Sequence, residues 1–307
     1  MEKRNKWTKS RIKHEAQWYS FILPTLICLA LLTYLPMINS VKYSLYRVSI
    51  VGFDEKFIGL KNYQALLSSP GFWRALSNTL VLALMALIII PIGFILAVQI
   101  NSLGRTKAQA FFRASFYLPK MLTGVSVVMM FRFVLLRDGG LINAFLSLFT
   151  SQPVQIGWLT DPNYSKISAT ILLVWQSLGY IMLLNLAGIQ SIPLEIYEAA
   201  EIDGCNMPQK HLYITVPNMS NTFTFIFITN IISSLARFSD LFVLGGNSPA
   251  GNPAGSLQTI LMYIYQYSFA SPNYGISTAG SMILFVMIFI VTLVNLKVTG
   301  FFKSNRL

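Results

Sequence analysis

A cluster of carboxylates is the most chemically distinctive feature of this chain. Within nine consecutive residues the 307-residue sequence places four of its 11 acidic side chains, namely Glu195, Glu198, Glu201 and Asp203. Carboxylates held this close together can form ion pairs with arginine or lysine of a partner protein, or they can keep one face of a short helix in water. The charges alone leave both interpretations open, a docking site and a solvated surface helix.

The residues around this cluster predict a helix–turn–helix. Pro193 suits the first turn of a helix, and Glu195 near the helix start complements the helix dipole. Gly204 can take the left-handed conformation that ends a helix. A second short helix can run from residue 207 to residue 214, and Pro217 precedes the next apolar stretch. Residues 190–218 are therefore expected to form a loop of two short amphipathic helices.

A second group of polar side chains lies inside long apolar stretches, where polar groups are costly and often line a pathway. Gln176 and Tyr180 are four residues apart and share a helix face. Asn230, Ser234 and Arg237 are spaced as one helical stripe. The candidate path residues are Gln176, Tyr180, Asn230, Ser233, Ser234 and Arg237. Hydrogen bonding between helices is the alternative, and Arg237 can either pair with Asp240 or favour an anionic substrate.

Other chemistry has little support in the sequence. His14 and His211 are far apart, as are Cys28 and Cys205, so no metal-ligand spacing is present and no metal site is expected. The chain has no glycine-rich phosphate loop ending in Gly-Lys-Ser/Thr, so ATP hydrolysis is not expected in this chain. It also lacks a clustered acid, base and nucleophile, which argues against an enzyme.

The elements that must position these residues are membrane spans. The chain is 54% hydrophobic and only 11% charged, with a mean hydropathy of +0.57, whereas soluble domains are about a quarter charged. Apolar windows of about twenty residues predict transmembrane helices. Six windows qualify, at residues 19–38, 79–100, 119–136, 167–189, 223–244 and 276–296. We therefore predict an all-α integral membrane protein with one six-span domain, residues 19–307, after a basic tail, residues 1–18.

The distribution of lysine and arginine predicts the orientation of these spans. The net charge of +12 is concentrated in the tail, in the connection between the second and third spans, and at the C-terminus. Basic flanks stay in the cytoplasm, so both termini and residues 190–218 are expected there, and nucleic-acid binding is not. Residues 245–274, which carry no charge, are expected outside, with a short surface helix around Ile260 and Ile264.

The cytoplasmic loop also carries a resemblance. Its residues Glu198-Ala199-Ala200, Gly204, Ile214 and Val216-Pro217 resemble the EAA loop of ABC importer permeases, although that pattern usually has leucine at the position of Val216. Further segments resemble the carbohydrate-uptake group of these permeases, whose best-known members are the maltose permeases. They include Ile58-Gly-Leu-Lys-Asn-Tyr63, Phe72-Trp-Arg-Ala-Leu-Ser-Asn-Thr79, Gly140-Leu-Ile-Asn-Ala144 and Tyr263-Ile-Tyr-Gln-Tyr-Ser-Phe269.

The resemblance implies the transmembrane domain of a type I ABC importer for a sugar or oligosaccharide, in a bacterial cell membrane. It implies four kinds of partner: a second permease, two ATPase subunits that bind ATP and magnesium, an extracellular or periplasmic sugar-binding protein, and the lipid membrane. This chain itself would then carry no cofactor. The coupling contact with the ATPase would fall on Glu198, Ala199, Ala200, Gly204, Ile214 and Pro217, and the sugar contacts on the fourth and fifth spans.

Two other classes compete with this interpretation. An ATP-independent secondary transporter or channel would be expected to show inverted repeats, which the sequence does not display, and it would leave the acidic cytoplasmic loop unexplained. A membrane enzyme would need a clustered set of reactive groups near one membrane face, whereas Asp161 and the Asp54-Glu55 pair are isolated from any histidine.

Overall fold

The computed structural model of the protein describes residues 9–48, 55–104, 106–122 and 124–299, with side chains from Trp18 onward. The regular secondary structure of this described part is helical, apart from an antiparallel ribbon of β1 (Tyr46–Arg47) and β2 (Lys56–Phe57). Four helical segments are long and apolar enough to cross a membrane, or five if one bent pair is counted as a span. The four are Trp18–Ser44, Pro70–Ser102, Pro162–Gln190 and Tyr274–Val298.

The first span is a long helical rod. It consists of α1 (Lys9–Leu29), a π turn (Ala30–Tyr34) and α2 (Leu35–Ser44). The rod includes the predicted window 19–38 and also begins within the basic tail, whose residues 1–8 lie outside the described part. The apolar residues of this span are not buried within the chain. The span packs against the rest of the chain mainly where α2 contacts the last helix, Tyr274–Val298.

The second span is longer than predicted, and the third is bent. After α3 (Lys61–Leu67), helices α4 (Pro70–Ala86) and α5 (Ile89–Ser102) form one 33-residue candidate span. The predicted span 119–136 does not coincide with one helix. The chain instead forms α6 (Lys107–Met121) and α7 (Gly124–Val134), which meet at 97°.

The window 119–136 contains α7 but misses most of α6, because α6 begins in polar sequence that is typical of a loop. Thr106 caps its start by accepting a hydrogen bond from the Gln109 amide at 3.2 Å. The helix then packs closely against α9, because a Cβ at Gly179 would lie 2.0 Å from the Phe116 carbonyl oxygen. Close packing at Gly179 therefore holds α6 against α9.

In the second half of the chain, two predicted spans are confirmed and the predicted span between them is broken. The windows 167–189 and 276–296 lie inside helices α9 and α16, as predicted, whereas the window 223–244 is not one helix, because α13 ends at Leu235 and α14 begins at Ser239. The elements are α8 (Leu141–Ser147), α9 (Pro162–Gln190), α10 (Leu194–Ile202), α11 (Met207–Lys210), α12 (Val216–Asn218), α13 (Ser220–Leu235), α14 (Ser239–Leu244), α15 (Ile260–Tyr265) and α16 (Tyr274–Val298).

Helix α15 exists where a surface helix was predicted, but it is buried. Ile260 is fully buried and Ile264 is 7% exposed. Both side chains belong to an apolar core that α15 forms with α3, α4, α13 and α16. The Ile260 amide donates to the Thr79 hydroxyl at 2.9 Å, which fixes the start of α15 against α4. A segment between two spans therefore folds back into the helical core.

Two asparagines from the motifs of the resemblance hold loop backbone in place. The Asn62 side-chain amide donates to the carbonyl oxygens of Ser44 at 2.9 Å and Tyr46 at 2.8 Å, where the first span ends. The Asn78 amide donates to those of Gly255 at 2.8 Å and Gln258 at 3.0 Å. Both residues are buried. Their amides supply donors to carbonyl groups that have left regular helix, which buried backbone requires.

A third motif asparagine has the same role beyond the third span. The Asn143 amide donates to the carbonyl oxygens of Arg137 at 3.0 Å and Ile156 at 2.9 Å. Its own oxygen accepts a hydrogen bond from the Trp158 indole at 2.9 Å. One buried amide thereby ties the turn after α7 to the segment before α9.

Replacing Asn78 tests this account. Asn78→Ala should lower the stability of the folded chain by about 1–3 kcal/mol, because two buried carbonyls lose their donor. Asn78→Asp should be worse, since a carboxylate would face the two carbonyl oxygens. Thermal unfolding of the purified chain in detergent measures both effects. The exposed Asn163 provides the control variant Asn163→Ala, and an equal loss of stability in the control would contradict the account.

Candidate functional site

The acidic loop folds as the predicted helix–turn–helix. Helix α10 is followed by a second helical stretch that consists of α11, a π turn (His211–Thr215) and α12. Gly204 has φ +82°, the Cys205 amide donates to the Ala200 carbonyl at 2.9 Å, and the Gly204 amide donates to that of Glu201 at 3.0 Å. This pair of bonds is the Schellman arrangement that ends a helix at a left-handed glycine.

The two helices of the loop are locked together by side chains. The Lys210 ammonium, only 8% exposed, forms an ion pair with Glu201. The Tyr197 and Thr215 hydroxyls lie 2.8 Å apart, and His211 Nδ1 lies 3.1 Å from the same Thr215 oxygen. Burial, and then the nearby Lys210 charge, lower the pKa of His211. Both effects disfavour the protonated imidazole, and the side-chain contacts hold the two helices of the loop together.

Only three of the four clustered carboxylates remain available to a partner. Glu201 is neutralised by Lys210 within the loop, so it does not act as a free docking charge. Glu195, Glu198 and Asp203 are exposed, and they form no ion pair with any residue in the described ranges. The remaining charge is therefore concentrated on the outer side of α10 and its turn.

Large apolar side chains surround these free carboxylates on the loop surface. Ile202 is 88% exposed, Leu194 67% and Tyr213 71%. Met207 and Leu212 are also exposed. An exposed apolar patch beside polar groups is typical of a protein–protein interface. The loop thus presents an acidic and apolar surface that the described chain does not cover.

The residues predicted for ATPase coupling occupy different depths in this loop. Glu198, Ala199 and Pro217 are exposed, whereas Ala200 is 7% exposed and faces the loop interior. Ile214 is half-buried. At Gly204 an added Cβ would meet nothing within 4 Å, so the glycine serves the backbone conformation and leaves open space at the turn. No sequence pattern indicates that Tyr197 and Thr215 meet, because their contact depends on the fold.

Four of the predicted path residues have side chains that the chain leaves unsatisfied. Gln176 and Asn230 are half-buried, while Tyr180 and Ser233 are exposed. None of these four side chains forms a hydrogen bond with the residues that the structure describes. The Asn230 side-chain oxygen is buried and without a hydrogen-bond partner. These residues lie on α9 and α13, two helices that contact each other.

The other two predicted path residues are buried in the chain interior. Ser234 is 4% exposed and Arg237 is 5% exposed. Arg237 lies in the break after α13, so the predicted helical stripe does not extend to it. Its Nε donates to Asp240 at 2.5 Å, and its Nη2 donates to the Ala169 carbonyl on α9 at 2.5 Å. The ion pair considered from the sequence is therefore present.

The break at Arg237 is itself held by hydrogen bonds. The Arg237 carbonyl, released from helix pairing, accepts a bond from the Thr259 hydroxyl at 3.0 Å. Thr259 in turn caps α15 by accepting the Met262 amide at 3.3 Å. The fifth span is broken at Arg237. Because the backbone is not helical there, this one buried arginine can bond to α9, to α14 and to the segment before α15.

Comparison with known proteins places these features in a family. Residues 89–303 match the family described as "Binding-protein-dependent transport system inner membrane component". The chain is 31% identical to the multiple sugar-binding transport system permease protein MsmF of Streptococcus mutans, over 93% of this chain and 96% of that protein. It is 30% identical to the arabinooligosaccharides transport system permease protein AraP of Bacillus subtilis, over 99% and 95%.

A solved structure has the same fold. The chain superposes with a TM-score of 0.77 and 25% identity on a chain of a bacterial alginate ABC transporter crystallised with an alginate pentasaccharide-bound periplasmic protein. The superposition covers 93% of this chain and 94% of that chain.

The buried ion pair between Arg237 and Asp240 generates a prediction about the stability of the folded chain. Asp240→Leu should destabilise the chain by about 3–5 kcal/mol, because it leaves the Arg237 cation buried and unpaired. The double variant Arg237→Met with Asp240→Leu should recover much of that loss, since no charge remains buried. Thermal unfolding of both purified variants measures the difference, with the exposed Asp138 replaced by Leu as control. A double variant as unstable as Asp240→Leu would contradict the prediction.

Proposed function

The chain belongs to the family of binding-protein-dependent transport system inner membrane components, and from this premise we propose that it is one permease subunit of an ATP-driven importer for a saccharide. The sugar assignment is supported by relatives named for multiple sugars and for arabinooligosaccharides. It is also supported by the structural neighbour, which was crystallised with a periplasmic protein bound to a pentasaccharide of alginate, an acidic saccharide. The chain supplies half of a translocation path and does not itself act as an enzyme.

We propose six spans for this subunit with both termini in the cytoplasm. The four long candidate helices supply the first, second, fourth and sixth spans. The bent pair α6 and α7 supplies the third, and α13 with α14 supplies the fifth. The charge distribution supports the orientation, with residues 1–18 as a cytoplasmic tail, residues 19–307 as the permease domain and residues 190–218 as its cytoplasmic coupling loop. The membrane would be the bacterial inner or plasma membrane.

The observation that carries the proposal is the uncovered acidic and apolar surface on α10. A helix–turn–helix with three unpaired carboxylates and exposed Ile202 fits a basic, apolar cleft on another protein. We assign this cleft to the ATPase subunit, which would bind ATP and magnesium. The contact would consist of Glu198, Ala199, Ala200, Gly204, Ile214 and Pro217. Closure of two such ATPases would then move the spans through α9 and α13, which flank the loop in the sequence.

The substrate path is proposed on α9 and α13, which contact each other. Gln176, Tyr180 and Asn230 offer amide and hydroxyl groups together with an aromatic ring, a set of groups that suits a saccharide. Ser233 adds a further exposed hydroxyl. A second, related permease would complete the path from the other side, and an extracellular or periplasmic binding protein would deliver the saccharide.

The coupling surface can be tested by charge reversal. Glu198→Lys should reduce assembly with the ATPase and saccharide uptake at least tenfold, because it places a cation opposite a basic cleft. Glu198→Gln, which keeps the shape and removes only the charge, should have a smaller effect. Co-purification of the ATPase with the chain, and uptake into cells, are the measurements. Normal assembly and uptake with Glu198→Lys would refute the coupling assignment and favour the alternative of an ATP-independent transporter or channel.

Gly204 provides a second, independent test of the same surface. Gly204→Asn can keep the left-handed turn, so the chain should fold normally, and yet it should lose coupling if the ATPase packs against the open space at the turn. Gly204→Val should also destabilise the turn itself. Chain abundance in the membrane reports folding, and uptake reports coupling. Full uptake by Gly204→Asn would mean that the glycine serves only the turn.

The path assignment predicts a change in substrate dependence. Asn230→Ala should raise the saccharide concentration needed for half-maximal uptake, by up to about tenfold for one lost hydrogen bond. The control is Thr224→Ala on the same helix, because Thr224 is buried and its hydroxyl is used by the Ser220 carbonyl at 2.8 Å. That control should change stability without changing substrate dependence. An unchanged saccharide dependence in a stable Asn230→Ala chain would remove Asn230 from the path.

A further inference from the structure

A cavity near the end of α7 contains two arginines that the proposed path does not use. It has a volume of about 200 Å³ and lies between the end of α7, the segment before α9 and the loop after α14. Its lining includes Arg132, Arg137, Trp158, Thr160 and Asn252. In the proposed orientation this is the outer side of the membrane, where a saccharide would arrive from the binding protein.

The cavity is held in shape by the hydrogen bonds described above. Asn143 fixes the Arg137 backbone carbonyl and also the Trp158 indole, so a single buried amide sets the spacing of these two lining residues. Arg132 Nη1 donates to the Val243 carbonyl at the end of α14, at 3.4 Å. The remaining donors of Arg132, and the whole of the exposed Arg137 guanidinium, form no hydrogen bond with the described residues.

The charge of the cavity is not balanced by the surrounding chain. Neither Arg132 nor Arg137 pairs with a carboxylate among the described residues. Of the acidic residues nearby in the sequence, Asp138 is exposed, and Asp161 caps α9 by accepting the Asn163 amide at 2.9 Å. The loop after α14, residues 245–274, carries no charge. An anionic ligand in this cavity would therefore lie beside two arginines that no described carboxylate neutralises.

We propose that this cavity is an outer subsite for an acidic sugar unit, with the uronate carboxylate on Arg132 and Arg137 and the sugar ring beside Trp158. Guanidinium groups bind carboxylates by paired, charge-assisted hydrogen bonds, and an aromatic side chain offers a face to the sugar ring. The volume is below the about 300–1,000 Å³ of pockets for drug-sized ligands, so it suits one ring. This inference rests on the proposed function and names the substrate class.

The test compares two sugars that differ only at C6. D-galacturonate and D-galactose are titrated calorimetrically into the full-length chain, purified with its permease and ATPase partners in lipid nanodiscs. Galacturonate should bind at least tenfold more tightly than galactose, and its affinity should fall as salt is raised, because the carboxylate contact is ionic. Equal affinity for the two sugars, or no binding of galacturonate, would overturn the proposal.

Substitutions locate the binding site. Arg137→Gln should weaken galacturonate binding about tenfold, and its exposed side chain makes folding of this variant secure. Arg132→Gln should act in the same direction, although it also removes the bond to α14. Arg74→Gln is the matched control, because Arg74 is an arginine that lines a different cavity, with Tyr263 and Gln266. Equal weakening by the control would place the binding elsewhere and overturn the assignment.

Two further measurements are decisive. One shows whether the carboxylate comes from the sugar or from the binding protein, and the other shows whether the subsite alone or the whole importer proposal fails. If Arg137→Gln weakens docking of the binding protein tenfold while galacturonate does not bind, the carboxylate belongs to that protein and the sugar subsite is wrong. ATP hydrolysis stimulated by the binding protein is measured on the same nanodiscs. Normal stimulation without galacturonate binding would refute the subsite alone, whereas absence of stimulation with the unsubstituted chain would count against the proposed importer.

Discussion

Backbone polar groups that leave a helix in apolar surroundings must find a partner, and the fold depends on how this chain supplies one. Where the ribbon, the turn after α7 and the loop before α15 leave regular helix, a buried asparagine donates to their carbonyls. Where the fifth span breaks, the Thr259 hydroxyl does the same for Arg237. These bonds allow bends and breaks in apolar sequence that would otherwise favour straight helices, and they shape the cavity beside Trp158.

The same constraint explains the contrast between the two ends of the helical domain. At the end that holds residues 245–274, buried asparagine and threonine side chains donate to the loop carbonyls, while Arg132 and Arg137 keep unused donors. At the opposite end, the helix–turn–helix is fixed internally by Lys210 and Thr215, but the outward side of α10 is left with unpaired carboxylates and exposed apolar groups. An element that is held internally and leaves one surface uncovered fits the coupling role proposed for it.

The sequence predicts those parts of the fold whose determinants are local. The two long apolar windows in α9 and α16 and the turn at Gly204 depend on composition and on nearby caps, and they are confirmed. The break at Arg237 and the packed helix α6 depend on contacts distant in the sequence, such as that of Arg237 with Ala169, and periodicity does not reveal them. The motifs indicate a family, but the role of Asn78 depends on partners about 180 residues away.

The candidate path illustrates how burial changes the meaning of a polar residue. From spacing alone, Ser234 and Arg237 are equivalent to Asn230, since all three fit one helical stripe. In the structure Arg237 Nε and Nη2 are used within the chain, by the Asp240 carboxylate and the Ala169 carbonyl, and only its Nη1 is buried without a partner. The Asn230 oxygen is buried without a partner, a state that costs free energy unless something else binds there. In an assembled transporter, the second permease, water or the saccharide would supply that missing donor to Asn230, whereas the charge of Arg237 is already paired within the chain.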